Sequence, residues 1–191
     1  MAEEISHDRA GTGAMRPSFL SRRRSSQIMN NSLPQITSEI TPDQDAVVTE
    51  IEIAAPPERV FDALTDPAQM MRWWGKPPQD STWEMDARPG GKWRYEKKNP
   101  SGNKVVNGVS NFKAYGEITE FDPPRVLAYT WLANWHDDPE RPSRARWELS
   151  ATKTGTRVRV THSGLVNEPV VRKDYAGGWP GVLEMLRKYC E

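Results

Sequence analysis

The chain has 191 residues, with 26 Lys plus Arg balanced by 26 Asp plus Glu. That balance excludes the global field that draws a basic protein to nucleic acid or to an anionic membrane surface. No run is long and apolar enough to form a membrane span. The single cysteine, Cys190, excludes an intrachain disulfide and fits a reducing compartment, so a cytoplasmic protein is expected. Apolar content is modest at 36%, but eight tryptophans supply large buried area per residue, enough for one domain with extra sequence.

Residues 1–45 have few large apolar side chains and are rich in Ser, Asn, Gln, Gly and Arg, the composition of a disordered tail. Arg22-Arg23-Arg24-Ser25-Ser26 reads as a solvated charge run, with a kinase or phosphate-binding site as the sharper alternative. No apolar segment follows it, as an export signal would require. The folded domain is expected over residues 46–191.

Val47, Thr49, Ile51 and Ile53 alternate with Val48, Glu50 and Glu52, the period of a half-buried strand. Pro56-Pro57 opens a helix with Val60, Phe61 and Leu64 on one face, ended by Asp66-Pro67. A second short helix carries Met70, Met71, Trp73 and Trp74 up to Gly75.

Two hairpins have a register fixed by phase. In the first, only Met85 opposite Trp93 with Trp83 opposite Tyr95 puts all four on one side of the pair. That register needs an odd loop, Arg88-Pro89-Gly90, with a glycine at positive φ in a bulge. A turn-rich connection, Asn99 to Gly108, leads into a strand ending at Phe121. The turn Asp122-Pro123-Pro124-Arg125 then starts a strand from Val126 to Trp131. Pairing Phe121 with Val126 sets Ile118 opposite Tyr129 and Gly116 opposite Trp131, leaving room for the Trp131 indole. Asn134 to Ser143 reads as an exposed loop, in which His136 beside Asp137 and Asp138 is a solvated residue rather than a metal ligand.

In the second hairpin Ala145, Trp147, Leu149 and Ala151 share one face, as do Val158, Val160 and His162. A four-residue turn sets Glu148 opposite Arg159 and Ala145 opposite His162, so His162 is the one ionisable side chain in phase with a buried row. The stretch Asn167 to Glu191 is an amphipathic helix with Val171, Tyr175, Trp179, Val182, Leu186 and Tyr189 on one stripe and Asn167 as its N-cap. Pro180 lacks an amide hydrogen and crowds the carbonyl of Ala176. The expectation is a kink there, or one helix ending near Gly177 and another starting at Pro180.

Strand, two short helices, antiparallel strands and a long terminal helix form an α+β pattern. Ala55-Pro-Pro-Glu-Arg-Val-Phe-Asp-Ala-Leu-Thr-Asp-Pro67, Arg72-Trp-Trp-Gly75, Asp86-Ala-Arg-Pro-Gly-Gly91, Phe121-Asp-Pro-Pro124, Gly155-Thr156, Thr161-His-Ser-Gly-Leu165 and Gly178-Trp179 occur in order. Together they resemble the family related to the C-terminal domain of the activator of Hsp90 ATPase, within the START-like (SRPBCC, Bet v1-like) superfamily. The resemblance implies a helix-grip fold: a curved antiparallel β-sheet wrapped around the C-terminal α-helix, with a cavity between them. Superfamily members bind lipids, hormones or polyketides, and some cyclise or hydrolyse them.

The candidate ligand-binding residues are the in-phase set Trp83, Trp93, Tyr95, Tyr129, Trp131, Trp147, His162, Tyr175 and Trp179. They suit a small apolar or aromatic ligand held by a carrier or sensor. The alternative is a cyclase or hydrolase with His162 as general acid–base, helped by Tyr129 or Tyr95. No nucleophile–base–acid pattern, metal-ligand spacing or phosphate loop stands in the sequence, so no metal and no cofactor are expected. A third reading is an interaction module for a chaperone of the Hsp90 type, with Arg141, Arg144, Arg146, Arg157 and Arg159 as contacts.

Overall fold

The computed structural model describes residues 35–74, 81–98 and 104–191. The Arg22–Ser26 run, Gly75 and the start of the Asn99–Gly108 connection lie outside them. Eight strands follow in chain order: β1 (Thr37–Ile40), β2 (Val47–Ile53), β3 (Ser81–Met85), β4 (Lys92–Lys97), β5 (Phe112–Asp122), β6 (Val126–Ala133), β7 (Ser143–Ala151) and β8 (Thr156–Ser163). They form one antiparallel sheet in the order β1-β2-β8-β7-β6-β5-β4-β3. Helices α1 (Pro57–Thr65) and α2 (Pro67–Trp73) carry the chain from β2, near one edge, to β3 at the other. Helix α3 (Pro169–Cys190) packs on β1, β2 and α1. The open, curved sheet with a long terminal helix is the helix-grip architecture.

Local chemistry accounts for these elements. Asp66 ends α1, its amide donating to Asp62 O, and caps α2, its carboxylate accepting from Ala68 N at 2.9 Å. Ala145, Trp147 and Leu149 on β7, and Val158, Val160 and His162 on β8, are all buried. Both hairpin registers are found as expected: Met85 faces Trp93 and Trp83 faces Tyr95, while Ala145 faces His162 and Glu148 faces Arg159. Gly90 has φ of 75°, the left-handed value the odd loop demands.

In the β5–β6 pair, Ile118 faces Tyr129 as expected, but a bulge between Ile118 and Glu120 slips the rest by one residue. Phe121 therefore faces Leu127 and Asp122 faces Val126, in place of the expected Phe121–Val126 pair. The space at Gly116 serves Trp93 rather than Trp131. A Cβ there would lie 1.9 Å from Thr130 O and 2.7 Å from the Trp93 indole nitrogen. With no Cβ, Trp93 Nε1 reaches across its β5 neighbour to donate to Thr130 O at 3.0 Å.

Three further expectations are corrected. Order does not wait for Ala46, because β1 pairs with β2 through Thr37↔Glu50 to Ile40↔Val47. All four β1 residues are exposed, so this edge strand is held by its backbone and carries no apolar row for the sequence to reveal. Helix α3 is not two helices; it runs unbroken through Pro180. The carbonyl of Ala176, which Pro180 cannot serve, accepts from Ser38 Oγ at 3.1 Å, and Ser38 Oγ in turn meets Thr49 Oγ1 at 2.9 Å. The N-cap of α3 is Glu168, not Asn167, and its own side chain does not cap the helix. Asp137, from the β6–β7 loop, supplies the cap instead, Oδ2 accepting from Val171 N at 3.2 Å. Glu168 returns the contact by accepting from Asp137 N at 2.6 Å.

Candidate functional site

The nine candidate residues come from six elements: Trp83 on β3, Trp93 and Tyr95 on β4, Tyr129 and Trp131 on β6, Trp147 on β7, His162 on β8, and Tyr175 and Trp179 on α3. Each is at most 7% exposed, and their rings touch. His162 stacks on Tyr175 with centroids 4.1 Å apart. Trp131 lies at the centre, with Trp93 at 4.8 Å, His162 at 5.5 Å and Trp179 at 6.3 Å. Trp147 meets Trp179 edge-on at 5.4 Å and donates from Nε1 to Tyr129 OH at 2.9 Å. Trp83 packs on Tyr95 at 4.8 Å and on Trp93 at 5.7 Å. The cluster lies between the sheet and α3.

Sequence reasoning missed three members. Trp74, just past the end of α2, bridges Trp83 at 4.8 Å to Trp179 at 6.1 Å. Trp135 packs edge-on against Phe112 at 5.1 Å. His136 is not solvated: it is 3% exposed, and Nε2 lies 2.8 Å from Tyr175 OH. The loop that carries it reads as polar in sequence, yet Trp135 anchors it inward and takes His136 along. Trp73 joins through Trp74 at 5.2 Å, so all eight tryptophans belong to one continuous network of ring contacts.

The hydrogen bonds fix the state of His162. Ser143 Oγ has one proton and donates it to Trp131 O at 3.1 Å. It must therefore accept from His162, whose Nε2 is 2.8 Å away, which leaves Nδ1 as a bare acceptor with no partner. Burial holds the His162 pKa well below its ordinary value, and nearby His136 pushes the same way. Burial likewise pushes His136 down to about 4. Tyr129 and Tyr175 are raised by burial and remain phenols. Ser143 and His162 thus have the spacing of a nucleophile and its base, but the serine proton is committed to a carbonyl and no carboxylate holds Nδ1. As it stands the pair fastens β7 to β8 and turns one imidazole acceptor into the cluster.

A groove of about 700 Å³ opens along β4 and β5, lined by Glu84, Lys92, Arg94, Lys113, Tyr115 and Glu140 among others, and it shares Trp93 with the cluster. Its cations are engaged: Lys92 pairs with Glu117, and Arg94 and Lys113 with Glu96. Among the described residues no helix is long and apolar enough to cross a membrane.

An antiparallel sheet gripping a long terminal helix around an aromatic interior defines a helix-grip domain. The chain belongs to the family described as "Activator of Hsp90 ATPase homolog 1-like protein", which matches residues 54–191. Among solved structures it is similar to protein CV1439 from Chromobacterium violaceum, at 21% identity over 77% of this chain and 98% of that one, with a TM-score of 0.62. Protein Ms6760 from Mycobacterium smegmatis is similar at 20% identity over 82% and 94% of the two chains, with a TM-score of 0.62. Protein MLL2253 from Mesorhizobium loti shares 28% identity over 75% of this chain and 95% of its own, with a TM-score of 0.56. A comparison with curated proteins gives no match.

Proposed function

We propose that this domain binds a small hydrophobic ligand between the sheet and α3, as a cytoplasmic carrier or sensor rather than a catalyst. The observation that carries the reading is the convergence of nine in-phase side chains from six elements on one buried, mainly aromatic cluster. The fold supports it, since START-like domains commonly hold hydrophobic ligands between sheet and helix. Most of these rings meet tilted or edge-on, so a flat ligand enters by parting α3 from the sheet. Native mass spectrometry of the freshly purified full chain tests the reading: a bound small molecule is expected. If none co-purifies and no apolar probe binds saturably, the proposal falls.

The 2.8 Å contact between Ser143 and His162 favours one alternative, a cyclase or hydrolase acting through His162 with Tyr129 or Tyr95. Turnover that His162→Gln abolishes, with ligand binding retained, would replace the carrier reading. A chaperone-docking role would use Arg141, Arg144, Arg146, Arg157 and Arg159. Four of these already face carboxylates: Arg141 meets Glu168, Arg144 and Arg146 share Glu120, and Arg159 meets Glu50. A pull-down with the chaperone tests that reading.

A further inference from the structure

The β6–β7 loop, residues 134–142, is joined to the N-terminal end of α3 by an interlocked set of contacts. His136 is 3% exposed, and its Nε2 lies 2.8 Å from Tyr175 OH on α3. The next two residues continue the tie. The Asp137 carboxylate accepts from Val171 N, while the Glu168 carboxylate accepts from the amides of Asp137, at 2.6 Å, and Asp138, at 3.3 Å. Arg141 meets Glu168 at 3.5 Å. Because His136, Asp137 and Asp138 are consecutive, the imidazole cannot leave its place without loosening the contacts beside it.

That place suits only a neutral ring. Once protonated, an imidazole has two N–H donors and no acceptor. The Tyr175 oxygen can take one of them, but His136 Nδ1 is buried with no partner. The groups around the ring do not make up for this. On its own loop, Asp137, Asp138 and the Arg141 carbonyl favour the charged form, yet burial outweighs them. Both carboxylates are engaged, Asp137 with Val171 N, and Asp138 with Glu140 N at 3.1 Å and Arg141 at 3.3 Å. From β8, His162 stacks on the same Tyr175 ring at 4.1 Å, and a charge on His136 opposes one on His162. From α3, Glu168 is spent on backbone amides, and Asp174 pairs with Lys104 at 2.8 Å. A buried charge without a partner is costly, and moving the loop into water relieves it.

We infer that the β6–β7 loop is an acid-released strap: it holds the N-terminal half of α3 while His136 is neutral, and a proton on His136 unclasps it. Acid does not act through Glu168, because burial raises its carboxyl and a proton there removes a buried charge. The strap is independent of the ligand-binding reading above, since none of its contacts requires a guest.

Amide hydrogen exchange of the full chain at pH 7 and pH 5, corrected for intrinsic rates, tests the strap. The amides of Asp137, Asp138 and Val171 report its opening, and that of Val160, paired on both sides within β8, reports global opening. The strap amides are expected to exchange faster than Val160 at both pH values. Their protection should fall about tenfold towards pH 5, as a histidine with an ordinary pKa when released and one of about 4 when buried requires. His136→Gln keeps a neutral polar side chain that does not titrate, so it should abolish the acid loss at the strap. His162→Gln should leave that loss in place. Strap amides that exchange in step with Val160 overturn the inference, because the loop then opens only with the whole domain. That comparison needs no variant and stands even where one fails to fold. Strap protection that does not change with pH overturns it too, as does an acid loss that persists in His136→Gln or disappears in His162→Gln.

Discussion

Ser38 Oγ donates to the carbonyl of Ala176 at 3.1 Å, the carbonyl that Pro180 leaves without its helical amide. A proline inside a helix costs about 3 kcal/mol, part of it from the missing hydrogen bond. Here an edge strand restores a donor, and the helix stays continuous. Ser38→Ala should therefore destabilise the domain by about 1 kcal/mol, the net worth of such a bond. The effect should largely vanish in a Pro180→Ala background, where residue 180 recovers its N–H. A double-mutant cycle by urea denaturation measures this; additive effects would mean the two sites are independent.

The same contact relocates the N-terminal limit of the fold. We propose that the tail before β1 is dispensable, so a chain starting at Gln35 should melt with the full protein. One starting at Ala46 lacks β1 and should melt lower, and thermal denaturation of the two distinguishes them.

The turn after β3 should be sensitive at both glycines for different reasons. Gly90→Ala forces a side chain into positive φ at a cost on the order of 1 kcal/mol. Gly91→Ala should cost more, because its Cβ would lie 1.9 Å from the Asp86 carbonyl oxygen. Chemical denaturation midpoints give the order; equal and negligible shifts would contradict the turn geometry.

Acid should act on the histidines before the carboxylates. His136 and His162 have folded pKa values below the ordinary 6.5, so the unfolded chain binds protons first. Their contribution is complete above about pH 6.5 and is lost as pH falls, through about 4 for His136. Glu168 has the opposite sign: burial raises its pKa, so its contribution is present below the unfolded value of 4.5 and lost as pH rises through the folded one. Denaturation between pH 6.5 and 4.5 should show falling stability, with a shallower slope in His136→Gln.

The exchange between the β6–β7 loop and α3 predicts a pair of linked losses. Asp137→Ala removes the acceptor for Val171 N and should cost about 0.5–2 kcal/mol, as helix caps do. Glu168→Ala deprives the amides of Asp137 and Asp138 of their acceptor and should cost at least as much. Urea midpoints of the two single variants and the double variant would expose the coupling.

What the sequence revealed depended on periodicity. Trp83, Trp93, Trp147 and His162 lie in alternating strands, so their inward phase and partners could be read from register alone. Trp74, Trp135 and His136 lie in a helix end and a loop, where no period marks the inside. Asp137 and Glu168 are joined across 31 residues by backbone amides, which leave no trace in side-chain patterning. Strand β1 was hidden for a related reason: Thr37, Ser38, Glu39 and Ile40 bury no row. The β5–β6 register was legible up to Ile118 and lost at the bulge, an irregularity that alternation cannot announce.

The unbroken network of tryptophan rings has an optical consequence. With neighbouring centroids 4.8 to 6.3 Å apart, excitation absorbed by one indole migrates to the others before it is emitted. The emission of this protein thus belongs to the array and not to any one ring, and its near-ultraviolet circular dichroism should carry the split bands of coupled transitions. A guest that parts two rings interrupts this transfer, so the array would report a single binding event with the combined signal of eight chromophores.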